Sequence, residues 1–260
     1  MQEQKPRVLI LGLASDFGCQ LQITNAEPYL LDILSQFELV SWQLVSSMPL
    51  PEDYDVAVIE GAVVVGRDLE LLHTIREKAA VVITIGACAH TGGVPGLALL
   101  KDDNSVAVYS TVPDDVRGAV EVRPVKEVIA VDYEVVGCPI NTLEFVAVLQ
   151  RALAEVPFAR LKGGTLCGTC KLAETVCFYE RGMLCLGLVT NDGCGAACTS
   201  RGRPCFGCRG LSPAANTRQA RGVAAGAGID PAAFDKALEV FNARSLVTAE
   251  AQAAIGVKGA

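Results

Sequence analysis

The sequence predicts an α/β protein: a parallel-sheet domain over residues 1–156, followed by a small cysteine-rich domain over 157–260 that ends in a helical tail. Three observations carry this reading. Short β-branched apolar runs alternate with helix-length segments as far as about Val156, the pattern left by strands that helices bury on both faces. Eight cysteines then crowd between Cys167 and Cys208, with little room for regular structure. Beyond Gly210 the chain is rich in alanine and glycine, and Asp230-Pro231 places a cap before a proline at a first helical position.

Strands are expected at Val8–Leu13, Leu39–Leu44, Val56–Ile59, Val81–Ile85 and Val128–Val136. Helices are expected at Gln20–Gln36, Arg67–Lys78 and Asn141–Ala154, the last with Asn141 as cap and Glu144 three residues on. In the tail, Pro231–Asn242 and Ala249–Ile255 are expected to be helical and to pack across a neighbour. A length of 260 residues with 51% hydrophobic content suits one sizeable core with a smaller appendage.

A net charge of −7 leaves no basic stripe to neutralise a phosphate backbone, so nucleic acid is not an expected partner. The charged stretch Met1–Arg7 runs straight into Val8-Leu9-Ile10-Leu11, without a signal-peptide core or twin-arginine motif, and the expectation is a cytoplasmic protein. The uncharged run Ala79–Leu100 has the length of a membrane span, but Gly86, Gly92, Gly93, Pro95 and Gly96 interrupt it. A buried strand followed by a loop fits it better.

The chain has 11 cysteines, an odd number that suits metal or cluster ligation in a reducing compartment better than a disulfide framework. Eight of them divide into two quartets. One is Cys167-x2-Cys170-x6-Cys177-x7-Cys185, the other Cys194-x3-Cys198-x6-Cys205-x2-Cys208. A C-x-x-C pair lets two thiolates reach one metal centre, and such a segment has so little apolar core that inorganic clusters would organise it. Two structural zinc sites could use the same eight residues.

The other three cysteines, Cys19, Cys88 and Cys138, each follow an expected strand. In a parallel open sheet the strand C-termini share one edge, so these thiols would converge there. Asp16, three residues before Cys19, could supply a fourth ligand; Ser15, His90 and water are alternatives. A helix opening near Cys19 would add free amides and the positive end of its dipole. Eleven cysteines and one aspartate then make twelve ligands, enough for three four-iron clusters.

Ser15-Asp16-Phe17-Gly18-Cys19-Gln20-Leu21-Gln22, Glu60-Gly61-Ala62, Gly86-Ala87-Cys88-Ala89, Gly137-Cys138-Pro139, Gly193-Cys194-Gly195 and Pro204-Cys205-Phe206-Gly207-Cys208 together resemble the small subunit of nickel–iron hydrogenases. The cytosolic multimeric kind, of sulfhydrogenase delta or cofactor-reducing gamma type, is the nearest in pattern. The resemblance runs from Val8 to about Gly210. It implies a flavodoxin-like first domain with a proximal cluster on Asp16, Cys19, Cys88 and Cys138. It also implies a medial cluster on Cys194, Cys198, Cys205 and Cys208, and a distal one on Cys167, Cys170, Cys177 and Cys185. Hydrogen chemistry would belong to a nickel–iron large subunit. Electrons would pass to a flavin- and cluster-containing module that serves NAD(P) or a deazaflavin. The departure is Asp16, where the family pattern has cysteine; an oxygen ligand is harder than thiolate and would alter that cluster.

Other residues have plainer readings. His90 is expected to be hydrogen-bonded in its loop and His73 to lie on a surface helix. Thr91-Gly92-Gly93-Val94-Pro95-Gly96 lacks the ending of a phosphate-binding loop and suits a tight turn. Glu60 could stand on a proton route, but a carboxylate bonding backbone amides at a sheet edge is the simpler expectation. Asp132 and Glu134 look like a solvated strand face. No serine–histidine–acid pattern supports hydrolase chemistry. Two rival functions remain at this point, a quinone-reductase-type relative sharing the first domain and a zinc-stabilised module without redox chemistry.

Overall fold

The computed structural model describes residues 5–26, 29–47, 49–100, 119–157 and 164–254. Contacts divide the chain into two compact units, Met1–Ala159 and Arg160–Ala260.

The first unit is built on a five-stranded parallel sheet. Its strands are β1 (Arg7–Gly12), β2 (Glu38–Trp42), β3 (Val56–Glu60), β5 (Val81–Ile85) and β7 (Tyr133–Val135), in the order β2-β1-β3-β5-β7. Each pair runs parallel, with Gly12 opposite Glu60 and Glu60 opposite Ile85 at the C-terminal edge. Two further short strands, β4 (Val63–Val65) and β6 (Ala119–Arg123), pair antiparallel beside this sheet.

Side-chain alternation along the strands separates two cores. Val8, Ile10, Val56, Val58, Ile83 and Ile85 face one side. There they meet Ile23 of α1 (Gly18–Thr24), Ile33 of α2 (Leu30–Leu34) and Phe145 and Leu149 of α5 (Thr142–Leu153). Leu9, Leu11, Ala57, Ile59 and Val82 face the other side, against Leu72 and Ile75 of α3 (Gly66–Lys78). Phe145, Leu149, Leu72 and Ile75 are each at most 2% exposed, and burial of such a side chain contributes about 1.5–3 kcal/mol. Asn141 caps α5 by accepting the Glu144 amide at 3.0 Å.

The structure corrects several sequence expectations. The single helix expected over Gln20–Gln36 is two short helices, α1 and α2; Pro28, lying between them in sequence, cannot supply the amide a continuous helix needs. The strand expected over Val128–Val136 is only Tyr133–Val135, preceded by a 3-10 turn at Val125–Glu127. Within Ala79–Leu100, the strand is followed by α4 (Gly86–Thr91) and a 3-10 segment, Val94–Leu100, rather than by a plain loop.

In the second unit, α6 (Cys167–Leu172) opens the cysteine-rich segment. The tail holds α7 (Thr217–Gly226), a helix the sequence pattern does not predict, and α8 (Pro231–Ala254), a continuous helix in place of the two expected. The expected end at Ile255 lies outside the described residues. Leu186 and Val189 pack on Ala220, Ala224, Phe234 and Leu238 in one core, which fixes α7 and α8 beside the segment that follows Cys185. A second small core contains Leu166, Phe178 and Ala196 together with Cys185 and Cys205. Among the described residues, no helix is long and apolar enough to cross a membrane.

Candidate metal centres

At the C-terminal edge of the five-stranded sheet, the segments that follow β1, β3, β5 and β7 are tied to one another. The loop after β1 pairs with the Glu60-Gly61-Ala62 turn. The Leu13 amide donates to the Glu60 carbonyl at 2.7 Å, and Ala14 and Ala62 exchange bonds of 3.1 and 3.0 Å. The loop after β5 joins the loop after β7 through Ala87 N–H donating to the Gly137 carbonyl at 2.8 Å. Gly86 brings the segments after β1 and β5 into contact. It has φ +88°, and a Cβ there would lie 2.6 Å from Cys19 Sγ, so only glycine admits the thiol at this position.

These ties bring Asp16, Cys19, Cys88 and Cys138 to one edge. Asp16 Oδ1 accepts the Gly18 amide at 2.9 Å, which fixes the carboxylate at the mouth of α1. Burial pushes the Cys88 thiol up to about 11, and the charges of Cys138, Asp16 and Glu60 add to the rise. Cys138 is raised by burial and then by Asp16 and Glu60. Cys19 is raised far above the ordinary thiol range by burial and by Glu60, against a lowering backbone bond at Ile140. These thiols and carboxylates oppose one another's negative charge, a donor set suited to a cationic iron core.

Glu60 is 2% exposed, and its two carboxylate oxygens accept the amides of Cys19 at 3.0 Å and Gln20 at 3.2 Å. The first amides of α1 are therefore engaged by Glu60, contrary to the expectation that they were free to face a cluster. Burial raises the Glu60 carboxyl, while the two amides lower it. Gln20 is fully buried, and its Oε1 accepts Trp42 Nε1–H at 2.9 Å, which locks α1 against β2.

His90 is 5% exposed and hydrogen-bonded, with Nδ1 2.6 Å from Glu134 Oε1. Lys126 Nζ approaches the same pair, 3.2 Å from His90 Nδ1 and 3.5 Å from Glu134. Glu134 is thus not part of a solvated face. Asp132 is exposed, as expected, and its carboxylate also accepts the Val82 amide at 2.7 Å and Arg76 Nη1 at 2.6 Å.

In the second unit, the Leu166 amide donates to the Thr190 carbonyl at 2.9 Å and sets the start of α6, which carries Cys167 and Cys170. Cys167 is pushed up to about 11 by burial and then by Cys185, Cys170 and Cys177, so these four thiols share one electrostatic neighbourhood. Cys185 Sγ accepts the Cys205 amide at 3.2 Å, and Cys205 Sγ accepts the Gly207 amide at 3.4 Å. Burial pushes Cys205 up to about 12; Thr190 and the Gly207 amide lower it, while Cys185 and Cys208 raise it. Cys194 packs against the small core that holds Cys205, whereas Cys198 is exposed before the turn Thr199–Arg201. Amide-to-sulfur bonds of this kind stabilise thiolates and suit cluster ligation. Among the described residues, no three His, Cys, Asp or Glu side chains close tightly enough to hold a single metal ion.

The profile of the family described as NADH ubiquinone oxidoreductase, 20 Kd subunit, matches residues 17–152, from the loop before Cys19 through most of α5. The chain belongs to this family. Over most of its length it is also similar to hydrogenase subunits. One comes from the vhu F420-non-reducing hydrogenase of Methanocaldococcus jannaschii, 33% identical over 78% of this chain and 81% of the relative. Another is the sulfhydrogenase 2 subunit delta of Pyrococcus furiosus, 34% identical over 75% of this chain and 82% of the relative. The chain is accordingly a small, electron-transfer subunit of the nickel–iron hydrogenase type, a component of oxidoreductase complexes whose catalytic site lies on the large subunit. A [NiFeSe]-hydrogenase chain from Dm. baculatum shares the fold, at 16% identity and a TM-score of 0.57 over 80% of this chain and 95% of that one. The family profile ends before Cys167, so the eight-cysteine segment lies beyond the part shared with the 20 Kd subunit family.

Proposed function

We propose that this small subunit carries three iron–sulfur clusters and relays electrons between a nickel–iron large subunit and a flavin- and cluster-containing module serving NAD(P) or a deazaflavin. The domain of residues 1–156 would hold the proximal cluster on Asp16, Cys19, Cys88 and Cys138. The domain of residues 157–260 would hold the medial cluster on Cys194, Cys198, Cys205 and Cys208 and the distal cluster on Cys167, Cys170, Cys177 and Cys185. Four-iron cubanes suit each set of four ligands, and such groups supply one-electron transfer when bound. The assembly would work in the cytoplasm.

The observation that carries this reading is the convergence of three strand-end loops on one edge, where Gly86 admits the Cys19 thiol and Ala87 is bonded to Gly137. The chain's own residues hold the ligands in place. Glu60 fixes the backbone of Cys19, Asp16 is tethered by the Gly18 amide, and the Cys205 and Gly207 amides face ligand sulfurs. Burial excludes water from Cys19, Cys185 and Cys205, which keeps those sulfurs in a low-dielectric setting.

Anaerobic purification of the chain from its native cell, followed by mass spectrometry, tests the partnership. A co-purifying subunit with two C-x-x-C pairs suited to nickel and iron is expected. Recovery with a quinone-reducing membrane complex and no such subunit would overturn it.

A further inference from the structure

Asp192-Gly193 and Arg209 form a clasp in the cysteine-rich unit. Arg209 is 5% exposed, and its Nε–H donates to the Asp192 carbonyl at 3.0 Å. Its guanidinium lies so close over Gly193 that a Cβ there would stand 2.6 Å from Nη2, at a backbone φ of +115°. The Arg209 carbonyl in turn accepts Asn191 Nδ2–H at 3.3 Å, so backbone and side chain both grip the Asn191–Gly193 turn. Cys194 follows Gly193 directly, and Cys208 directly precedes Arg209. A permanent, buried positive charge thereby adjoins Cys208 in the chain and grips the turn that leads into Cys194. The Asp192 carboxylate is engaged by the Gly193 amide at 2.7 Å and by Thr169 Oγ1, inside the C-x-x-C pair of the other quartet.

We propose that Arg209 sets the reduction potential of the cluster held by Cys194, Cys198, Cys205 and Cys208, its fixed charge making that cluster easier to reduce than the same ligands alone would. The proposal rests on the cluster assignment given above. Reduction adds one electron, hence one negative charge, and a nearby cation stabilises that added charge most where burial weakens solvent screening. A neutral donor could make the same bond to the Asp192 carbonyl. The guanidinium brings in addition a charge that is never lost in the working pH range.

The test is a redox titration of the full, anaerobically cluster-loaded chain, followed by electron paramagnetic resonance. The relevant signal is identified as the one that Cys198→Ser alters. Arg209→Gln, which keeps a donor and removes the charge, is expected to lower the reduced-to-oxidised ratio of that cluster about tenfold at a fixed ambient potential, a shift of ~59 mV for a one-electron couple. Arg209→Lys is expected to retain most of the wild-type ratio, and the other signals are expected to stay in place in both variants. An unmoved potential in Arg209→Gln with full iron content would overturn the proposal. So would an equal shift in Arg209→Lys, or loss of the cluster in both variants, because arginine would then act through geometry alone. If the wild-type chain itself lacked a cluster signal sensitive to Cys198→Ser, the underlying assignment would fail instead.

Discussion

Glu60, the last residue of β3, accepts the backbone amide of Cys19 at 3.0 Å across 41 residues of sequence. With its second oxygen on the Gln20 amide at 3.2 Å, this one buried carboxylate takes the place of a side-chain cap for α1 and fixes where the Cys19 thiol stands. Glu60→Ala leaves two buried amides without an acceptor, at a cost of about 1–3 kcal/mol for each group left unpaired. A lower urea midpoint is expected for Glu60→Ala than for Glu60→Gln, which keeps one carbonyl acceptor. Equal midpoints for the two variants and wild type would show that the bonds contribute nothing.

Gly86→Ala acts on the thiol itself. Its Cβ would lie 2.6 Å from Cys19 Sγ, at a φ of +88°, and both the clash and the backbone strain oppose it. Iron analysis of the loaded variant is expected to show a loss of about four irons per chain, one cubane, with the other clusters retained.

Asp16→Cys replaces a hard oxygen with a soft thiolate at the mouth of α1. One cluster signal in the electron paramagnetic resonance spectrum is expected to change, and the others to stay as they are. Movement of every signal, or of none, would refute the ligand role of Asp16.

Asn141→Ala removes the acceptor of the Glu144 amide at the start of α5. A destabilisation of about 1 kcal/mol is expected, measured by chemical unfolding, with the iron content unchanged.

The parts of this structure visible in the sequence are those written in local pattern. The apolar runs at β1, β3 and β5, the Asn141-x-x-Glu144 cap and the Asp230-Pro231 start all lie within a few residues of what they specify. So do the strand-to-cysteine steps that bring Cys19, Cys88 and Cys138 to one edge. Two further local signals carry structure that apolar periodicity does not reveal, namely Pro28 between α1 and α2 and Asn216, which caps α7 through the Gln219 amide at 3.0 Å. Long-range pairs are not legible in the sequence. Glu134 meets His90 44 residues away, and Asp132, although exposed, meets Arg76 56 residues away, so both carboxylates carry long-range ties that their alternating pattern does not reveal. Glu60 can be narrowed to a carboxylate bonding amides, but which amides it takes depends on the pairing of β1 with β3.

Iron and acid-labile sulfide per chain, measured on protein purified without air and fully loaded, test the central claim most directly. The account predicts about twelve of each, the content of three cubanes. Eight of each would leave the edge of the parallel sheet without its cluster, and a colourless protein with zinc and no sulfide would contradict the account outright.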